Sequence, residues 1–290
     1  MEWFHESEAI PYVNKRRLLK REQPLFVFLA FMRLPTLLKF VYGQYKRLIW
    51  LAASVLVLGL LIWKFTRPAD TMHWHFVDAY GIKFPTRYTM HGLDVSRHNN
   101  TINWDRVAAV DEGGVRMQFV FMKATEGATL GDPTFARNWR EAKRVALRRG
   151  AYHFYHPTRD PLKQAANFIK RVSLKPGDLA PVLDFEVTNG VSDEKIIADL
   201  HIFLDAIEAE YNIRPIIYTN PSLYKRFVKS NFEVYPLWIA DYSKSDLNRY
   251  DADKLYVWQH NKNGWVRGIR GFVDINTFVM NADKMSELTL

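Results

Sequence analysis

The pattern that most constrains the fold is a regular alternation of short β-rich runs and helical stretches, which begins at Met90. It predicts an α/β fold, and eight β-rich runs in roughly 190 residues favour a closed parallel barrel over an open sheet. The β-rich runs are His91–Ser96, Phe119–Thr125, Gly150–His156, Ala180–Val187, Pro215–Asn220, Pro236–Tyr242, Tyr256–His260 and Phe272–Phe278. Helical periodicity separates the first five, at Trp104–Val110, Pro133–Leu147, Pro161–Val172 and Asp193–Tyr211, and only a short helix is indicated after the fifth, at 222–229.

A second constraint is an apolar segment, Leu48 to Trp63, which runs for sixteen residues without a charge. A membrane span needs about 20 residues, and flanking lysine and arginine side chains can reach the interface to supply the missing length. We therefore predict a single transmembrane helix at 48–66. The apolar character of every face disfavours a buried core helix. The 47 preceding residues and the lack of a following Ala-x-Ala site disfavour a cleaved signal peptide.

Positive charge is concentrated ahead of this segment. The net charge is +9, and residues 1–67 hold 11 Lys and Arg against 4 Asp and Glu, whereas the remaining 223 hold 29 against 27. Because cytoplasmic flanks carry such an excess, we predict that the chain spans the membrane once, with 1–47 as a basic cytoplasmic tail and the body on the opposite side. The nearly neutral body argues against nucleic-acid binding, and a chain without cysteine has no disulfide.

The rest of the chain divides into a connecting segment and the barrel. Residues 67–89 are predicted to be a stalk, or a strap over the barrel, with five aromatic side chains available for packing, and 90–290 to be the barrel itself. An apolar run within Pro24 to Tyr45 is too short to span a membrane, and is either an interfacial amphipathic helix or solvated tail. The five aromatic residues of the connecting segment are Trp74, Phe76, Tyr80, Phe84 and Tyr88.

Acidic residues occur where such barrels carry their working side chains, at the C-terminal ends of strands. Asp94 lies late in the first β-rich run, Asp184 and Glu186 late in the fourth, and Asp274 in the last. Since side chains alternate along a strand, Asp184 and Glu186 share a face about 7 Å apart, and one of the two should keep its proton. Glycoside hydrolysis commonly uses such a pair, a protonated carboxyl that acts as the acid and an ionised carboxylate beside it. A lone acid, such as Glu126, is more often a helix cap or part of a loop salt bridge.

Aromatic and amide side chains lie on the same runs. Sugar rings stack their apolar faces on aromatic side chains while their polar groups need amide partners, although core packing accounts for most single aromatics. Three histidines lack the spacing of a metal site, so we interpret them as core or rim residues and predict neither a metal nor a cofactor. The candidate sugar-binding residues are Tyr155, Tyr218, Trp238, Tyr242, Trp258, Gln259 and Asn276, and the histidines are His153, His156 and His260.

Taken together, these stretches resemble the family 25 glycoside hydrolases, the Chalaropsis-type lysozymes, over essentially the whole chain after the connecting segment. The resemblance implies a flattened TIM-like (β/α)5(β)3 barrel that cleaves the β-1,4 bond between N-acetylmuramic acid and N-acetylglucosamine in peptidoglycan. It also implies that the catalytic pair is Asp184 and Glu186, with Asp94 and Asp274 as further acidic site residues. The matching motifs are HGLDVS (91–96) with Asn103-Trp104, FMKATEG (121–127), RGAYHFYHP (149–157), PVLDFE (181–186), IIYTN (216–220), LWIADY (237–242), WQH (258–260) and VDINTF (273–278).

Our hypothesis for the mechanism makes Glu186 the general acid. Asp184 would orient the 2-acetamido group of the substrate, or attack directly as the nucleophile, or activate water on an inverting path, and the sequence leaves these routes open. Asp94 and Asp274 would hold the protonation states and the sugar. A non-catalytic peptidoglycan-binding envelope protein and an N-acetylglucosaminidase or chitinase-like hydrolase are the alternatives. The sequence makes no prediction of oligomeric state.

Overall fold

The computed structural model describes residues 34–66, 72–243, 247–280 and 282–290, and the chain separates into two compact units, 1–70 and 71–290. In the first unit, helix α1 covers Leu34–Thr66. The window Tyr42–Trp63 has a mean hydropathy of 1.8 and none of it is buried, so it is long and apolar enough to cross a membrane. Helix α1 therefore extends well ahead of residue 48, where the predicted span begins. Most of the predicted tail, 1–33, lies outside the described residues.

Within the described residues, the second unit contains an eight-stranded sheet that closes on itself, as the alternating pattern predicts. The strands are β3 (Met90–Val95), β4 (Met117–Glu126), β6 (Arg148–Phe154), β7 (Val182–Asp184), β8 (Ile216–Thr219), β9 (Leu237–Ala240), β10 (Leu255–Trp265) and β11 (Phe272–Phe278), with the short β5 (Leu130–Gly131) beside β4. The pairing of β3 with both β4 and β11 closes the barrel.

A helix follows each of the first five barrel strands. They are α2 (Trp104–Ala108), α3 (Phe135–Arg144), α4 (Pro161–Arg171), α5 (Asp193–Tyr211) and a broken helix at 221–231 with a π-helical middle. Ser192 caps α5 as its sequence position predicts, because its side chain accepts a hydrogen bond from the Lys195 N–H. A short helix, α6 (Ala282–Met285), lies near the C-terminus.

One strand departs from the parallel arrangement that the alternation predicts. Strand β11 runs antiparallel to both of its neighbours, β10 and β3. A parallel strand needs a long crossover, usually a helix, whereas the six residues between β10 and β11 reverse the chain as a hairpin. The β-rich composition of 272–278 gave no information about strand direction.

The barrel interior and its outer face form two separate apolar layers. Phe121, Val182 and Trp238 fill the interior, and the Phe121 and Trp238 rings lie 4.6 Å apart. Leu183 and Phe185 point the other way, into the layer between the sheet and the helices. This alternation brings residues 182, 184 and 186 to the inner side of the barrel wall, as the sequence predicts.

Where helices are absent, a β-hairpin covers the outer face of the sheet. Strands β1 (Trp74–Val77) and β2 (Ile82–Pro85) pair antiparallel, with Trp74 opposite Pro85. The Trp74 ring lies 5.6 Å from that of Trp258, and the Phe84 ring lies 4.9 Å from that of His91. Of the aromatic residues named for this segment, Phe76 is exposed and makes no such contact. The hairpin thus takes the position of a helix over β3, β11 and β10.

Candidate active site

A cavity of about 300 Å³ opens where the parallel strands of the barrel end. It brings together eight of the predicted site residues, including all four acids, from strands that are far apart in sequence. Those eight are Asp94, Asp184, Glu186, Tyr218, Trp238, Tyr242, Gln259 and Asp274. Five further residues line the same cavity, namely Ser96, His98, Lys123, Tyr152 and Phe154.

The end of β7 supplies two of the acids. Asp184 is the last residue of the strand and only 6% exposed, and its Oδ1 has no hydrogen-bond partner among the described residues. Glu186 lies two positions on, where it is exposed to the open cavity. Phe185 between them packs outward, 5.5 Å from the Phe227 ring. One acid is therefore buried in the wall and the other is accessible to a bound molecule.

Asp94 and Asp274 face each other across the β3–β11 ladder. Asp94 Oδ2 accepts hydrogen bonds from Gln259 Nε2 at 2.7 Å and from Asn276 Nδ2 at 2.8 Å. The indole N–H of Trp238 donates to Asn276 Oδ1 at 2.8 Å, which fixes the orientation of that amide. These bonds leave Asp94 as an acceptor with a fixed geometry.

Gln259 connects this network to two tyrosines. Its Oε1 accepts hydrogen bonds from the hydroxyl of Tyr218, at 3.2 Å, and from the hydroxyl of Tyr242. Both tyrosine rings line the cavity. Polar and aromatic groups that bind one another hold their positions before a ligand arrives, which lowers the entropy that binding would otherwise cost.

Burial raises the pKa of every one of the four acids, and the negative charge of neighbouring carboxylates raises it further for Asp94, Asp184 and Asp274. Burial raises the pKa of Asp94 to about 6, against the hydrogen bonds from Asn276 and Gln259, and burial together with the charges of Asp94 and Glu186 raises the pKa of Asp274 to about 8. Burial and then the charge of Glu186 raise the pKa of Asp184 well above its usual value. Burial also raises the pKa of Glu186, opposed by the neighbouring Tyr218 hydroxyl and by the charge of Lys123. The cluster therefore retains protons at neutral pH, as an acid catalyst requires.

Lys123 is the most important residue that the sequence analysis missed. Its Nζ lies 2.6 Å from Glu126 and 4.6 Å from the centre of the Phe154 ring, and it places a positive charge beside the acids. Burial opposes ionisation of Glu126, but hydrogen bonds from Lys123 and His156 lower its pKa to about 2, so Glu126 belongs to a salt bridge. Lys123 follows the inward-facing Phe121 by two residues, and this alternation could have revealed it.

Three predicted sugar-binding residues do not line the cavity. Tyr155 follows the inward-facing Phe154 by one position, and Trp258 precedes the inward-facing Gln259 by one position. The rings of both residues therefore point to the outer layer. There Tyr155 packs 5.6 Å from the Phe203 ring, and Trp258 Nε1 donates to the Asp241 carbonyl at 2.8 Å. Asn276 faces inward, but it lies behind Asp94 and acts on that carboxyl rather than on the open space.

The three histidines have different surroundings. His153 is buried between Thr125 and Gln164, and burial lowers its pKa to about 3. His156 contacts Glu126 at 3.1 Å, and His260 packs against the rings of Trp74 and Phe84 in the outer layer. In the described ranges, no three His, Cys, Asp or Glu side chains are arranged to hold a metal ion.

Comparison with known proteins identifies the chain as a glycoside hydrolase. The model of glycosyl hydrolases family 25 matches residues 93–269. The uncharacterized protein YegX of Escherichia coli (strain K12) is 39% identical over 204 residues, 70% of this chain and 74% of that protein. The N,O-diacetylmuramidase of Chalaropsis is 32% identical over 220 residues, 68% of this chain and 99% of that enzyme.

A solved structure agrees with these matches. The family 25 glycosyl hydrolase from Bacillus anthracis superposes with a TM-score of 0.61 at 25% identity, over 77% of this chain and 100% of that one. The chain therefore belongs to glycosyl hydrolase family 25, and it is an enzyme of the glycoside hydrolase class.

Proposed function

We propose that the protein is a peptidoglycan hydrolase that cleaves the β-1,4 bond between N-acetylmuramic acid and N-acetylglucosamine. The observation that carries the proposal is the opening of Asp184 and Glu186 into one cavity that also holds Asp94 and Asp274. The Chalaropsis relative is named as a muramidase, which supports the choice of bond. Paired carboxyls of raised pKa supply the acid that glycoside hydrolysis needs.

Glu186 is the general acid in this proposal. It is exposed to the cavity while its pKa is raised, so it can carry a proton to the oxygen of the scissile bond. The departing sugar takes that proton, and Glu186 later recovers one from the water that completes hydrolysis. Asp184 is too buried to compete for this position.

Asp184 assists the attack on the anomeric carbon. Its side chain lines the cavity beside Glu186, so the carboxyl can accept the N–H of the 2-acetamido group and turn the acetamido carbonyl towards the anomeric carbon. Direct attack by Asp184 and an inverting attack by water are the other routes. The anomeric configuration of the first-formed product, followed by NMR, separates the inverting route from the two retaining ones.

The remaining cavity residues bind and orient the sugar in this proposal. Asp94 and Asp274 govern the protonation of the catalytic pair, and Gln259 offers an amide to the sugar's polar groups. Asn276 contributes by positioning Asp94. The aromatic walls for the sugar rings are Tyr218, Trp238 and Tyr242.

We further propose that α1 anchors the enzyme in the bacterial inner membrane, with the N-terminus in the cytoplasm and the catalytic unit on the cell-wall side. The apolar window within α1 and the excess of basic residues before it support this orientation. The proposed division is a tail at 1–47, an anchor at 48–66, a connection at 67–89 and a catalytic barrel at 90–290. Peptidoglycan glycan strands are the proposed partner, and no nucleic acid is expected.

The test is digestion of purified peptidoglycan by the full-length protein in detergent, with products identified by mass spectrometry. Fragments that end in reducing N-acetylmuramic acid are expected. Reducing N-acetylglucosamine at the new ends would assign a glucosaminidase instead, and saturable binding without release would assign a non-catalytic binder.

Glu186→Gln tests the assignment of the acid. Because Gln cannot donate the proton, we expect the rate to fall about 10² to 10⁴-fold, with a melting temperature no lower than that of the wild type. Glu210→Gln is the matched control, because Glu210 is exposed near the end of α5, and it should retain full activity. Normal turnover by Glu186→Gln would refute the assignment.

A further inference from the structure

Asp94 and Asp274 form a close pair of acids in the wall of the cavity. They lie directly opposite each other in the antiparallel β3–β11 ladder, and both line the cavity. Directly opposed residues place their side chains on one face of a sheet, with Cβ atoms about 4.5–5.5 Å apart. Two carboxylates this close in a partly buried site repel each other strongly, so one of the two keeps a proton at neutral pH.

The orientation of the Asn276 amide bears on which acid is ionised. The indole N–H of Trp238 is a donor and never an acceptor, so the atom that it contacts at 2.8 Å is the amide oxygen of Asn276. The amide nitrogen of Asn276 therefore points to Asp94 Oδ2, also at 2.8 Å. A flipped amide would set donor against donor at Trp238 and acceptor against acceptor at Asp94.

The amide of Gln259 is oriented in the same way. The hydroxyls of Tyr218 and Tyr242 donate to its Oε1, and its amide nitrogen donates to Asp94 Oδ2 at 2.7 Å. Asp94 thus receives two N–H groups whose orientations are fixed by the residues behind them. Hydrogen bonds from N–H groups stabilise the ionised form of a carboxyl, so this arrangement favours a negative charge on Asp94.

Asp274 has a different environment. Among the residues that the structure describes, none donates a hydrogen bond to its carboxyl, which lines the cavity. Burial, and then the charges of Asp94 and Glu186, raise the pKa of Asp274 to about 8. Burial raises the pKa of Asp94 only to about 6, because the two amides oppose it. The difference in hydrogen bonds therefore leaves the charge on Asp94 and the proton on Asp274.

The other charged groups of the cavity act on this pair unevenly. Glu186, beyond the end of β7, raises the pKa of both carboxyls, whereas Lys262 on β10 lowers that of Asp274. Lys123 on β4 lowers the pKa values of Asp184 and Glu186. The pKa of Asp274 stays far above its usual value, so Lys262 does not outweigh burial and the neighbouring carboxylates. The remaining titratable side chains of the cavity are His98, Tyr152, Tyr218 and Tyr242.

We propose that Asp94 and Asp274 carry one proton between them, held by Asp274, and that the neutral Asp274 carboxyl donates a hydrogen bond to an acceptor oxygen of the bound sugar. Trp238 is a positioning residue in this arrangement, because it acts on Asp94 through Asn276. The cavity thus offers the sugar a donor on β11 and an acceptor on β3, which distinguishes the two ends of a polar group. This inference rests on the proposed function for the identity of the ligand.

Infrared difference spectroscopy of the full-length protein in detergent, with isotope-labelled aspartate, tests the position of the proton without a substrate. At neutral pH, Asp274→Asn should remove a band of a protonated carboxyl, because Asp274 holds the proton. Asp253→Asn, at an exposed position, should remove a band of an ionised carboxylate instead. Loss of an ionised band in Asp274→Asn would overturn the proposal.

Calorimetric titration with glycan fragments of purified peptidoglycan tests the donor, in a Glu186→Gln background that prevents turnover. We expect the affinity to fall roughly fivefold to tenfold as the pH rises from neutral to about 9, because Asp274 loses its proton and one hydrogen bond to the sugar. Adding Asp274→Asn should leave the affinity nearly constant over this range. A fall that persists undiminished in Asp274→Asn would place the donor on another residue.

Trp238→Phe tests the positioning role, because it keeps an aromatic ring and removes the indole N–H. The Asn276 amide can then turn its oxygen towards Asp94, which would draw the proton away from Asp274. We expect weak binding already at neutral pH, and little further loss as the pH rises. Trp258→Phe is the matched control, since it removes a buried indole bond of the same 2.8 Å length, to the Asp241 carbonyl, and should keep the pH dependence of the parent.

The same pH dependence in Trp238→Phe and Trp258→Phe would refute the action of Trp238 on Asp94. If the fragments do not bind the parent protein, the proposed function fails separately. The infrared comparison of wild type with Asp274→Asn then still decides which carboxyl holds the proton.

Discussion

At the scale of single residues, the four clustered carboxyls retain protons near neutral pH, and their crowding lowers the free energy of unfolding there. Asp94 and Asp274 have raised pKa values of about 6 and 8, so each binds a proton more tightly in the folded protein than in the unfolded chain. A group of this kind makes the free energy of unfolding fall as the pH rises between its unfolded and folded pKa values. Crowded acids that weaken a fold near neutral pH are characteristic of functional sites.

Asp274→Asn tests this loss of stability with rising pH. The folded pKa of about 8 exceeds the unfolded value of about 4. The contribution of Asp274 to the free energy of unfolding of the wild type is therefore fully present below pH 4 and is lost as the pH rises towards 8. Asn does not titrate, and the melting temperature of the variant should therefore exceed that of the wild type by a margin that grows from pH 4 to pH 8. Calorimetry on the full-length protein at several pH values measures the margin.

A matched control separates this effect from loss of charge in general. Asp253 is exposed, and Asp253→Asn should show no such growth of the margin with pH. A margin for Asp274→Asn that is equally flat would mean that Asp274 ionises freely in the folded protein.

Much of the site at this scale could be predicted from the sequence. The spacing of Asp184 and Glu186 determines that they share a face, and strand ends determine where to look for Asp94 and Asp274. Lys123 was missed because lysine is common on surfaces, and its position beside Asp184 and Glu186 depends on how the strands close into the barrel. Tyr155 and Trp258 were misplaced because a position at a strand end does not specify which face a side chain takes.

At the scale of elements, the β1–β2 hairpin covers a part of the outer face of the sheet that no helix covers. It packs Phe84 and Trp74 on the outer face of β10 and β3, whose inner faces carry Gln259 and Asp94. Tyr80 adds a hydrogen bond from its hydroxyl to the Val115 carbonyl, at 3.3 Å. The hairpin therefore supports the strands that hold part of the candidate site, although it precedes the family match.

Phe84→Ala tests how much the hairpin contributes to the stability of the fold. Phe84 is 1% exposed, and removing a buried phenyl ring costs about 3–5 kcal/mol of the free energy of unfolding, which denaturant titration of the full-length protein would measure. Phe76→Ala removes the same ring from an exposed position of the same hairpin and should change stability by less than about 0.5 kcal/mol. Similar small losses for both variants would mean that the hairpin contributes little to the fold.

At the scale of the whole molecule, the chain joins a helix suited to a membrane with a catalytic unit suited to polysaccharide. Helix α1 is apolar over Tyr42–Trp63 and none of that window is buried, and no such exposed apolar run is needed for a barrel. The unit from residue 71 has its own closed core.

The membrane assignment predicts how the protein fractionates. In a bacterial host, the full chain should sediment with membranes and resist alkaline extraction, because exposing the apolar face of α1 to water is unfavourable. Deletion of 48–63 should release the protein into the soluble fraction with its activity on peptidoglycan intact. Protease added outside the inner membrane should digest the catalytic unit of the full-length protein. Protection of that unit would reverse the proposed orientation, and alkaline release of the full chain would remove the anchor.

The sequence by itself determined the alternation of strands and helices, the inward face of Asp184 and Glu186, and the one segment apolar enough to span a membrane. These properties follow from local periodicity, which is set by the geometry of helices and strands. Only the tertiary structure decided the antiparallel direction of β11, the approach of Lys123 to Asp184 and Glu186, and the raised pKa values of the four acids. Each of these depends on which distant residues come within a few ångströms in the closed barrel, and on how much water that closure excludes.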